Sequence, residues 1–212
     1  WTKDGNVPGP SACGPGTRKT WQGALDYAAC LNTSNYLGHH DWRLPNLNEL
    51  ISLVNAGQAN STVWLNTQGF TNTASYYWSS TTYAYGTIFA WYVGFCHGKV
   101  SHYCKHNNYG SMYVRCVRGG QSGSLGNSVI SLPKTGQTKC YQGVSPYAEI
   151  PCAGTGQDGE LLAGVAWPNP RFTNPDSTTP ISGDIILDKL TGFEWTKDGN
   201  VPGPSACGPG TR

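Results

Sequence analysis

Eighteen residues occur twice in this chain. The segment WTKDGNVPGPSACGPGTR begins at Trp1 and again at Trp195, so its two copies start 194 residues apart. Such a period exceeds that of common solenoid repeats and is long enough for a domain with its own core. Two identical segments cannot fill one native site within one unit, so we predict that one copy belongs to a neighbouring unit. The alternative is that one copy is redundant or loose.

The repeat predicts that the chain contains parts of two successive units. Residues 1–120 would be the helix-plus-sheet portion of one domain, and residues 121–138 a Gly/Ser-rich connector. Residues 139–212 would be the β-rich N-terminal portion of the next unit, with short strands and no helix. With so few apolar residues, this last part is expected to dock on a neighbour. A continuous chain of units and an array of separate chains both fit this pattern.

Composition indicates a secreted, β-rich protein. The chain has 28 Gly, 14 Pro and 12 Tyr, and only 12% of its residues are charged. A net charge of +2 is too small to favour a nucleic-acid partner. No apolar run is long enough to span a bilayer. We therefore expect an extracellular protein, on a bacterial cell surface or in a secreted matrix, with no membrane span and no cofactor.

The eight cysteines lack any CxxC pair, which favours disulfides in an oxidising compartment over a zinc ribbon. Cys140 and Cys152 bracket a short polar loop, and a bridge there would stabilise by about 3 kcal/mol. Cys13 and Cys30 flank a helical segment and are predicted to pair likewise. Because Cys207 repeats Cys13, each period has an odd number of cysteines. Cys96 with Cys104 is the preferred third pair, although spacing leaves the odd cysteine open.

Apolar periodicity predicts an α+β fold. Residues 17–31 carry apolar side chains at helical spacing, and Asn46 with Glu49 has the pattern of a capping box that starts a second helix. From Tyr76 the pattern changes to alternating aromatic and β-branched residues, with a hairpin turn at His97-Gly98. The strands are predicted in YYWSS, IFAWYVGF, KVSHYC and MYVRCV. We expect two helices packed on a twisted antiparallel sheet with long loops.

Several motifs together resemble one bacterial domain family. They are ALDYAACLN, DWRLPNLNEL, YYWSSTTYA, AWYVGF, YVRCVRGG, GTGQDG, GVAWPNPRF and LTGFEW. They are similar to DUF1566, also called the Lcl C-terminal domain family. In that family the LTGFEW-type segment runs directly into the WTKDGN-type segment and the first helix. This chain has that order only when it is read across its period. The resemblance implies a C-type-lectin-like fold, similar to that of formylglycine-generating enzymes. It also implies secretion and, in some members, adhesion to glycans or a role in biofilm matrix.

One cluster of cysteines and histidines suggests a metal or redox site. Thiolate and imidazole ligands hold Cu(I) or Zn(II), and period-two alternation would place two of these residues on one strand face. The candidate ligands are Cys96, His97, His102, Cys104 and His106. They resemble in part the copper site of formylglycine-generating enzymes, which implies a copper-dependent thiol oxidase. A disulfide beside exposed histidines explains the same residues, and we expect the protein not to be an enzyme.

Aromatic residues are too numerous for one sheet face to bury, so some are expected to be exposed. Exposed aromatic rings stack on sugars, and cationic side chains bind acidic glycans. The glycan-binding candidates are Tyr83, Tyr85, Tyr109, Lys99, Lys105 and Arg115. The alternative is that such rings form the core and the contacts between units.

The leading hypothesis is a structural or adhesive extracellular protein whose 194-residue units assemble head to tail into a fibre. Its partners would be identical neighbouring units, with glycans as possible ligands in a glycan-binding adhesin. The candidate assembly residues are Trp195, Leu132, Trp167 and Phe172. Leu132 begins LPKTG, which spells a sortase signal but lies mid-chain and is better explained as an extended interdomain strand.

Overall fold

The computed structural model describes residues 1–5, 9–14, 18–106, 112–119, 132–182 and 185–196. The chain divides into two compact units, Trp1–Val165 and Ala166–Arg212. Unit 1 contains a three-stranded sheet, a two-stranded sheet and helices, whereas unit 2 contains a separate three-stranded sheet. Across these described ranges, no helix has the length and apolar character needed to cross a membrane.

The main sheet is antiparallel, in the order β1 (Tyr76–Thr82), β2 (Phe89–Gly94) and β3 (Lys99–Cys104). The predicted turn after β2 is confirmed, since Gly94 pairs with Lys99. Gly98 has a φ of 66°, which a residue without a Cβ adopts at little cost. The predicted strand in MYVRCV is instead a series of isolated bridges. Its residues pair with three different partners and therefore form no continuous ladder.

Both predicted helices are present. α1 (Trp21–Thr33) begins after Thr20, whose side chain accepts a hydrogen bond from the backbone N–H of Gly23. α2 (Leu47–Ile51) starts with the predicted capping box between Asn46 and Glu49. Two further helices lie in the described part of the chain, α3 (Ser61–Thr67) and α4 (Asp158–Leu161). Both are too short to have a recognisable helical period.

The core of unit 1 lies on both faces of the main sheet. Neighbouring residues of a strand point to opposite faces, so Trp78 and Tyr77 enter different clusters. Trp78 packs with the apolar side of α1, including Trp21. Tyr77 packs with Leu50 of α2 and Leu65 of α3. The side chains of these five residues are almost completely buried.

Residues 132–165 pack within unit 1. They contain β4 (Cys140–Tyr141), β5 (Glu149–Ile150) and α4, and the predicted Cys140–Cys152 disulfide is confirmed. The side chain of Gln137 bonds both the backbone N–H and the carbonyl of Thr82, at 2.7 and 2.9 Å. The described chain therefore differs from the predicted division. Its compact unit continues past 138 to Val165, and α4 lies where no helix was predicted.

Unit 2 is built on β6 (Phe172–Thr173), β7 (Ile185–Asp188) and β8 (Glu194–Thr196). The strands are antiparallel in that order, and Ile186 of β7 faces Trp195 of β8. The start of the second copy of the repeated segment is thus part of a strand. Residues 197–212 lie outside the described residues.

Candidate functional site

The first copy of the repeated segment lies in a groove of unit 1 that we call the segment slot. The slot is formed by Cys30, Thr71, Tyr77, Arg115 and Cys116. The backbone N–H of Thr2 donates to the carbonyl of Cys116 at 2.8 Å, and that of Gly5 donates to Thr71 at 2.7 Å. Thr71 in turn donates to Lys3 at 3.0 Å, so the segment pairs with the chain beside it as a strand would.

Arg115 is the buried centre of the slot. Its Nη1 donates to the carbonyl of Thr2 at 2.8 Å, and its Nη2 donates to the hydroxyl of Thr73 at 3.1 Å. The guanidinium also lies over the rings of Phe70 and Tyr77, at 4.7 and 5.3 Å from their centroids. A fully buried guanidinium needs such partners because an unpaired charge is costly in the interior. Arg115 therefore binds the segment through a backbone carbonyl and not through a side chain.

Gly5 fits the slot because it has no side chain. A Cβ at this position would collide with the backbone oxygen of Asn72 and the hydroxyl of Tyr77. That hydroxyl donates to the carbonyl of Gly5 at 3.2 Å and accepts from the backbone N–H of Ala74 at 2.7 Å. Burial raises the pKa of Tyr77, so the phenol stays protonated and able to donate. The slot thus selects glycine at the fifth position of the segment.

The far part of the segment is fixed covalently. Cys13 and Cys30 form the predicted disulfide, with their Cα atoms 5.7 Å apart. Gly9 packs under the phenol of Tyr27, where a Cβ would collide with the hydroxyl. The hydroxyl of Ser34 lies 3.5 Å from the Cys13 sulfur. Cys13 and Cys30 are each half-buried, so this disulfide lies at the edge of the core and not inside it.

The two copies of the segment have different surroundings. Trp1 is half-buried and packs against the cluster that contains Leu50 and Tyr77. Its counterpart Trp195 lies in β8 with 56% of its surface exposed. The first copy therefore occupies the slot of unit 1. Of the second copy, the structure describes only the first residues, which lie in β8.

Unit 2 presents exposed aromatic residues. The side chains of Trp167, Phe172, Phe193 and Trp195 are each about half exposed or more. Arg171 lies over the rings of Trp167 and Phe172, and makes a two-pronged ion pair with Asp188 at 2.8 and 3.0 Å. The Arg171 guanidinium lowers the pKa of Asp188 to about 2. Three of the four predicted assembly residues belong to this surface. The fourth, Leu132, lies half-buried in unit 1.

A second cavity, the tyrosine pocket, opens beside the main sheet and has a volume of about 470 Å³. Its lining residues are Arg18, Ala74, Ser75, Tyr76, Tyr92, His97, Lys99, Tyr103, Met112 and Tyr113. The lining holds four tyrosines and two side chains of fixed positive charge, and none of the residues named is acidic. Gly94 leaves room for the ring of Tyr76, which would touch a Cβ at 3.1 Å. Sequence reasoning missed this pocket because its residues come from four separate segments.

The model of the Lcl C-terminal domain family matches residues 1–118. This chain belongs to that family. The match covers the first copy of the segment and every residue that forms the slot, so the slot is part of the Lcl domain itself. No curated protein and no solved structure matches the chain.

The predicted cysteine–histidine cluster does not form in the Lcl domain. Cys96 follows the end of β2 that pairs with the start of β3, whereas Cys104 is at the other end of the hairpin, opposite Phe89. The hairpin ends are about 17 Å apart at ~3.4 Å per residue, too far for a disulfide. The predicted Cys96–Cys104 bridge is therefore wrong, and both thiols are free.

The five predicted metal ligands are likewise distributed along the hairpin. Cys96 contacts His97 at 3.2 Å, His102 stacks on Tyr83 at 4.1 Å between ring centroids, and His106 bonds the hydroxyl of Tyr147. Among the residues that the structure describes, no three metal-binding side chains form a group. Because Cys96 and Cys104 cannot share one ion in this arrangement, the shared copper site of the thiol-oxidase hypothesis was wrong.

The predicted glycan-binding residues that the structure describes fall into two groups. Tyr85 is 93% exposed, Lys99 is exposed at the tyrosine pocket, and Tyr83 is half-buried in a group of aromatic rings. The predictions for Lys105 and Arg115 were wrong, because both are completely buried and cannot reach a glycan. Tyr109 lies outside the described residues.

Lys105 occupies an unusual site of its own. Its ammonium lies 4.1 Å from the ring centroid of Trp21, and Nζ has no hydrogen-bond partner in the described structure. Burial lowers the pKa of Lys105 to about 7. The contact with the face of Trp21 offsets part of the cost of burying this charge.

Proposed function

We propose that this protein is a structural or adhesive extracellular protein whose 194-residue units join head to tail. In each joint, the C-terminal copy of the repeated segment from one unit occupies the segment slot of the next. The observation that carries this proposal is the ratio of segments to slots. The Lcl domain has one slot, formed around Cys30, Thr71 and Arg115, whereas the chain has two identical copies of the segment that fits it.

The details of the slot favour specific filling by this sequence. Gly5, Gly9 and Cys13 each make a contact that another residue type would lose, and the second copy has the same three residues as Gly199, Gly203 and Cys207. A second copy seated in a slot gains the same backbone hydrogen bonds as the first. The joint is equally compatible with a continuous chain of domains and with separate chains.

The exposed aromatic residues of unit 2 support contact between units. Phe193 and Trp195 immediately precede the rest of the second copy, so they approach the neighbouring domain when that copy enters a slot. Large aromatic residues and arginine are enriched in protein interfaces. This surface therefore adds contacts that a free N-terminal copy does not have.

Family membership and the two described disulfides support the fold and the location that we propose. We propose a C-type-lectin-like arrangement for the helices around the main sheet, which is consistent with its antiparallel strands and long loops. Two disulfides favour an oxidising environment, such as a bacterial cell surface or a secreted matrix. A non-catalytic role fits these assignments.

The test compares the full chain with a chain ending at Glu194. Light scattering after gel filtration and electron microscopy should show multimers of the full chain and monomers of the shortened one. Gly199→Val should also abolish multimers, because the slot has no room for a Cβ at the equivalent Gly5. The matched control Ala206→Val changes the equivalent of Ala12, which is exposed, and should assemble normally. Multimers of the shortened chain, or a monomeric full chain at every concentration, would refute the proposal.

The tyrosine pocket favours a second candidate function, binding of acidic glycans. Aromatic rings stack on sugars, and Arg18 and Lys99 supply positive charge for carboxylate or sulfate groups. Binding to immobilised acidic polysaccharide should fall about tenfold in Tyr76→Ala, as expected for the loss of ~1.4 kcal/mol. Tyr85→Ala is the control for the exposed loop tyrosines. Equal losses in both variants, or none in either, would exclude the pocket.

A further inference from the structure

We propose that the joint between units is covalent, with Cys207 of one unit bonded to Cys30 of the next through thiol–disulfide exchange. The inference rests on the proposed function, because it names the bond that forms when the second copy enters a slot. Cys207 lies outside the described residues, and its place in the joint is inferred from the described copy, where the equivalent Cys13 is bonded to Cys30.

The geometry at Cys30 suits an incoming thiol. Cys30 belongs to α1 and stays with the domain, whereas Cys13 belongs to the exchangeable segment. Both residues of the bridge are half-buried and neither is sealed in the core, as an exchangeable disulfide requires. The hydroxyl of Ser34 lies 3.5 Å from the Cys13 sulfur and 4.0 Å from the Cys30 sulfur. A hydroxyl at this position can donate a hydrogen bond to a departing thiolate.

The exchange needs no external oxidant. The thiolate of Cys207 attacks the sulfur of Cys30, the Cys207–Cys30 bond forms, and the Cys13–Cys30 bond breaks. The electron pair leaves with Cys13 as a thiolate, which takes up the proton that Cys207 released to water. One disulfide and one thiol are present before and after the step. Attack on Cys13 instead would bond the two segments to each other and leave Cys30 free. The chains would still be cross-linked, but no segment would be bonded to α1, so the two products differ in the peptide that is linked to Cys207.

The identity of the two segments makes this exchange reversible in principle. Cys13 and Cys207 lie in the same eighteen-residue sequence, so the bond broken and the bond formed are chemically alike. The equilibrium therefore depends on which copy occupies the slot. Contacts of the unit 2 aromatic surface with the neighbouring domain would favour the second copy.

The free thiols of the described residues fit this role less well than Cys207. Cys116 is completely buried, and burial raises its pKa to about 12, which leaves little thiolate at neutral pH. Cys104 is at the end of β3 and takes part in none of the slot contacts described above. Cys96 is half-exposed and beside His97, so it is the thiol whose cross-linking must be excluded by experiment.

The experiment uses the full chain, assembled without reductant and quenched with N-ethylmaleimide. Wild-type protein should give a ladder of multimers on a denaturing gel that disappears with dithiothreitol. Cys207→Ser should lose the ladder entirely, because its second copy has no thiol to bond to Cys30 and the Cys13–Cys30 bridge stays closed. The double variant Cys13→Ser/Cys207→Ser, whose first copy is no longer bonded to Cys30, should also lack the ladder yet form multimers by light scattering without denaturant. Cys96→Ser is the control and should keep the ladder. A ladder that persists in Cys207→Ser, or disappears in Cys96→Ser, overturns the covalent joint.

Mass spectrometry identifies the bond directly. Trypsin releases the same peptide from both copies, so the neutral substitution Ala206→Val is used to give the second copy its own mass. The tagged peptide should be linked to the peptide that contains Cys30. Finding it only as the alkylated thiol within multimers overturns the covalent joint and leaves the proposed function standing. Absence of multimers in the native measurement would instead overturn the proposed function, and the covalent joint with it.

Discussion

At the scale of single residues, this domain buries three cationic side chains in three different ways. Arg43 makes a two-pronged ion pair with Glu49 at 2.6 and 2.7 Å. Arg115 donates to backbone carbonyls of the repeated segment. Lys105 has only the face of Trp21 and, at 5.8 Å, that of Tyr141. Each guanidinium donates hydrogen bonds from both of its Nη atoms and leaves only Nε without a partner, whereas the ammonium of Lys105 has no hydrogen-bond partner in the described structure. Lys105 is therefore the residue at which stability should respond to pH.

Replacing Lys105 with methionine should stabilise the protein and weaken its pH dependence. The pKa of Lys105 falls from its ordinary 10.5 to about 7 on folding. Between these values the unfolded state holds a proton that the folded state lacks, so the free energy of unfolding rises with pH across this window. At pH 6 the folded state carries the buried charge, and Lys105→Met should gain about 1–3 kcal/mol.

Urea unfolding at pH 6 and pH 9 measures both effects. Lys99→Met, which changes an exposed lysine, is the control and should leave the difference between the two pH values unchanged. If Lys105→Met unfolds with the same pH dependence as the wild type, the ammonium of Lys105 is not the group that titrates.

At the scale of elements, side chains take the place of a continuous sheet in attaching residues 132–165 to the domain. Gln137 pairs with the backbone of Thr82, and the side chain of Asn48 donates to the carbonyl of Pro133 at 2.8 Å. Asp158 at the start of α4 accepts hydrogen bonds from the hydroxyls of Thr81 and Thr135, at 2.8 and 2.6 Å. These side-chain hydrogen bonds do not need two strands in register, so each one can attach a short segment of chain independently of the others.

Asp158→Ala should loosen this region by about 2 kcal/mol, because the buried hydroxyl of Thr81 and the half-buried hydroxyl of Thr135 lose their acceptor. Asp158→Asn should cost much less, since an amide oxygen accepts the same bonds. Burial raises the pKa of Asp158, so the neutral amide also avoids the cost of burying a charge. Hydrogen exchange should show lost protection at residues 132–165 in the alanine variant, with β1 to β3 unchanged. Equal exchange in both variants would mean that the hydroxyl bonds contribute nothing.

At the scale of the whole molecule, the two compact units differ in what they contain. Unit 1 contains the filled slot and, within the described chain, the two disulfides and the two apolar clusters. Unit 2 has its own small sheet, exposed aromatic residues and the start of the second copy. This distribution predicts which truncations leave a stable protein.

A chain of residues 1–165 should unfold at the same temperature as the full chain under conditions in which both are monomeric. A chain of residues 1–138 should unfold at a clearly lower temperature, because it lacks the Cys140–Cys152 bridge, α4 and the ring of Tyr141 above Lys105. Circular dichroism during heating makes the comparison. Equal melting temperatures for the two truncated chains would place the boundary at 138, as the sequence predicts, and not at 165.

The sequence by itself determined the local features and the family. The spacing around Trp21 predicted α1, Asn46 with Glu49 predicted the start of α2, and the alternation from Tyr76 predicted the main hairpin. A short polar loop between Cys140 and Cys152, and a helical segment between Cys13 and Cys30, predicted the two disulfides seen in the described chain. These features depend on residues that are close together in the chain, so the periodicity of apolar residues and the capping residues can reveal them.

Only the tertiary structure decided which side chains are buried and which distant segments are in contact. It buried Lys105 and Arg115, placed Cys96 and Cys104 at opposite ends of a hairpin, and attached residues 132–165 to the domain through single side chains. It also revealed the groove that the first copy fills and the tyrosine pocket. Burial and proximity come from contacts between distant segments, and no periodicity in the sequence encodes them. The sequence shows that the chain has two copies of the segment, and the fold provides the slot in which the first copy lies.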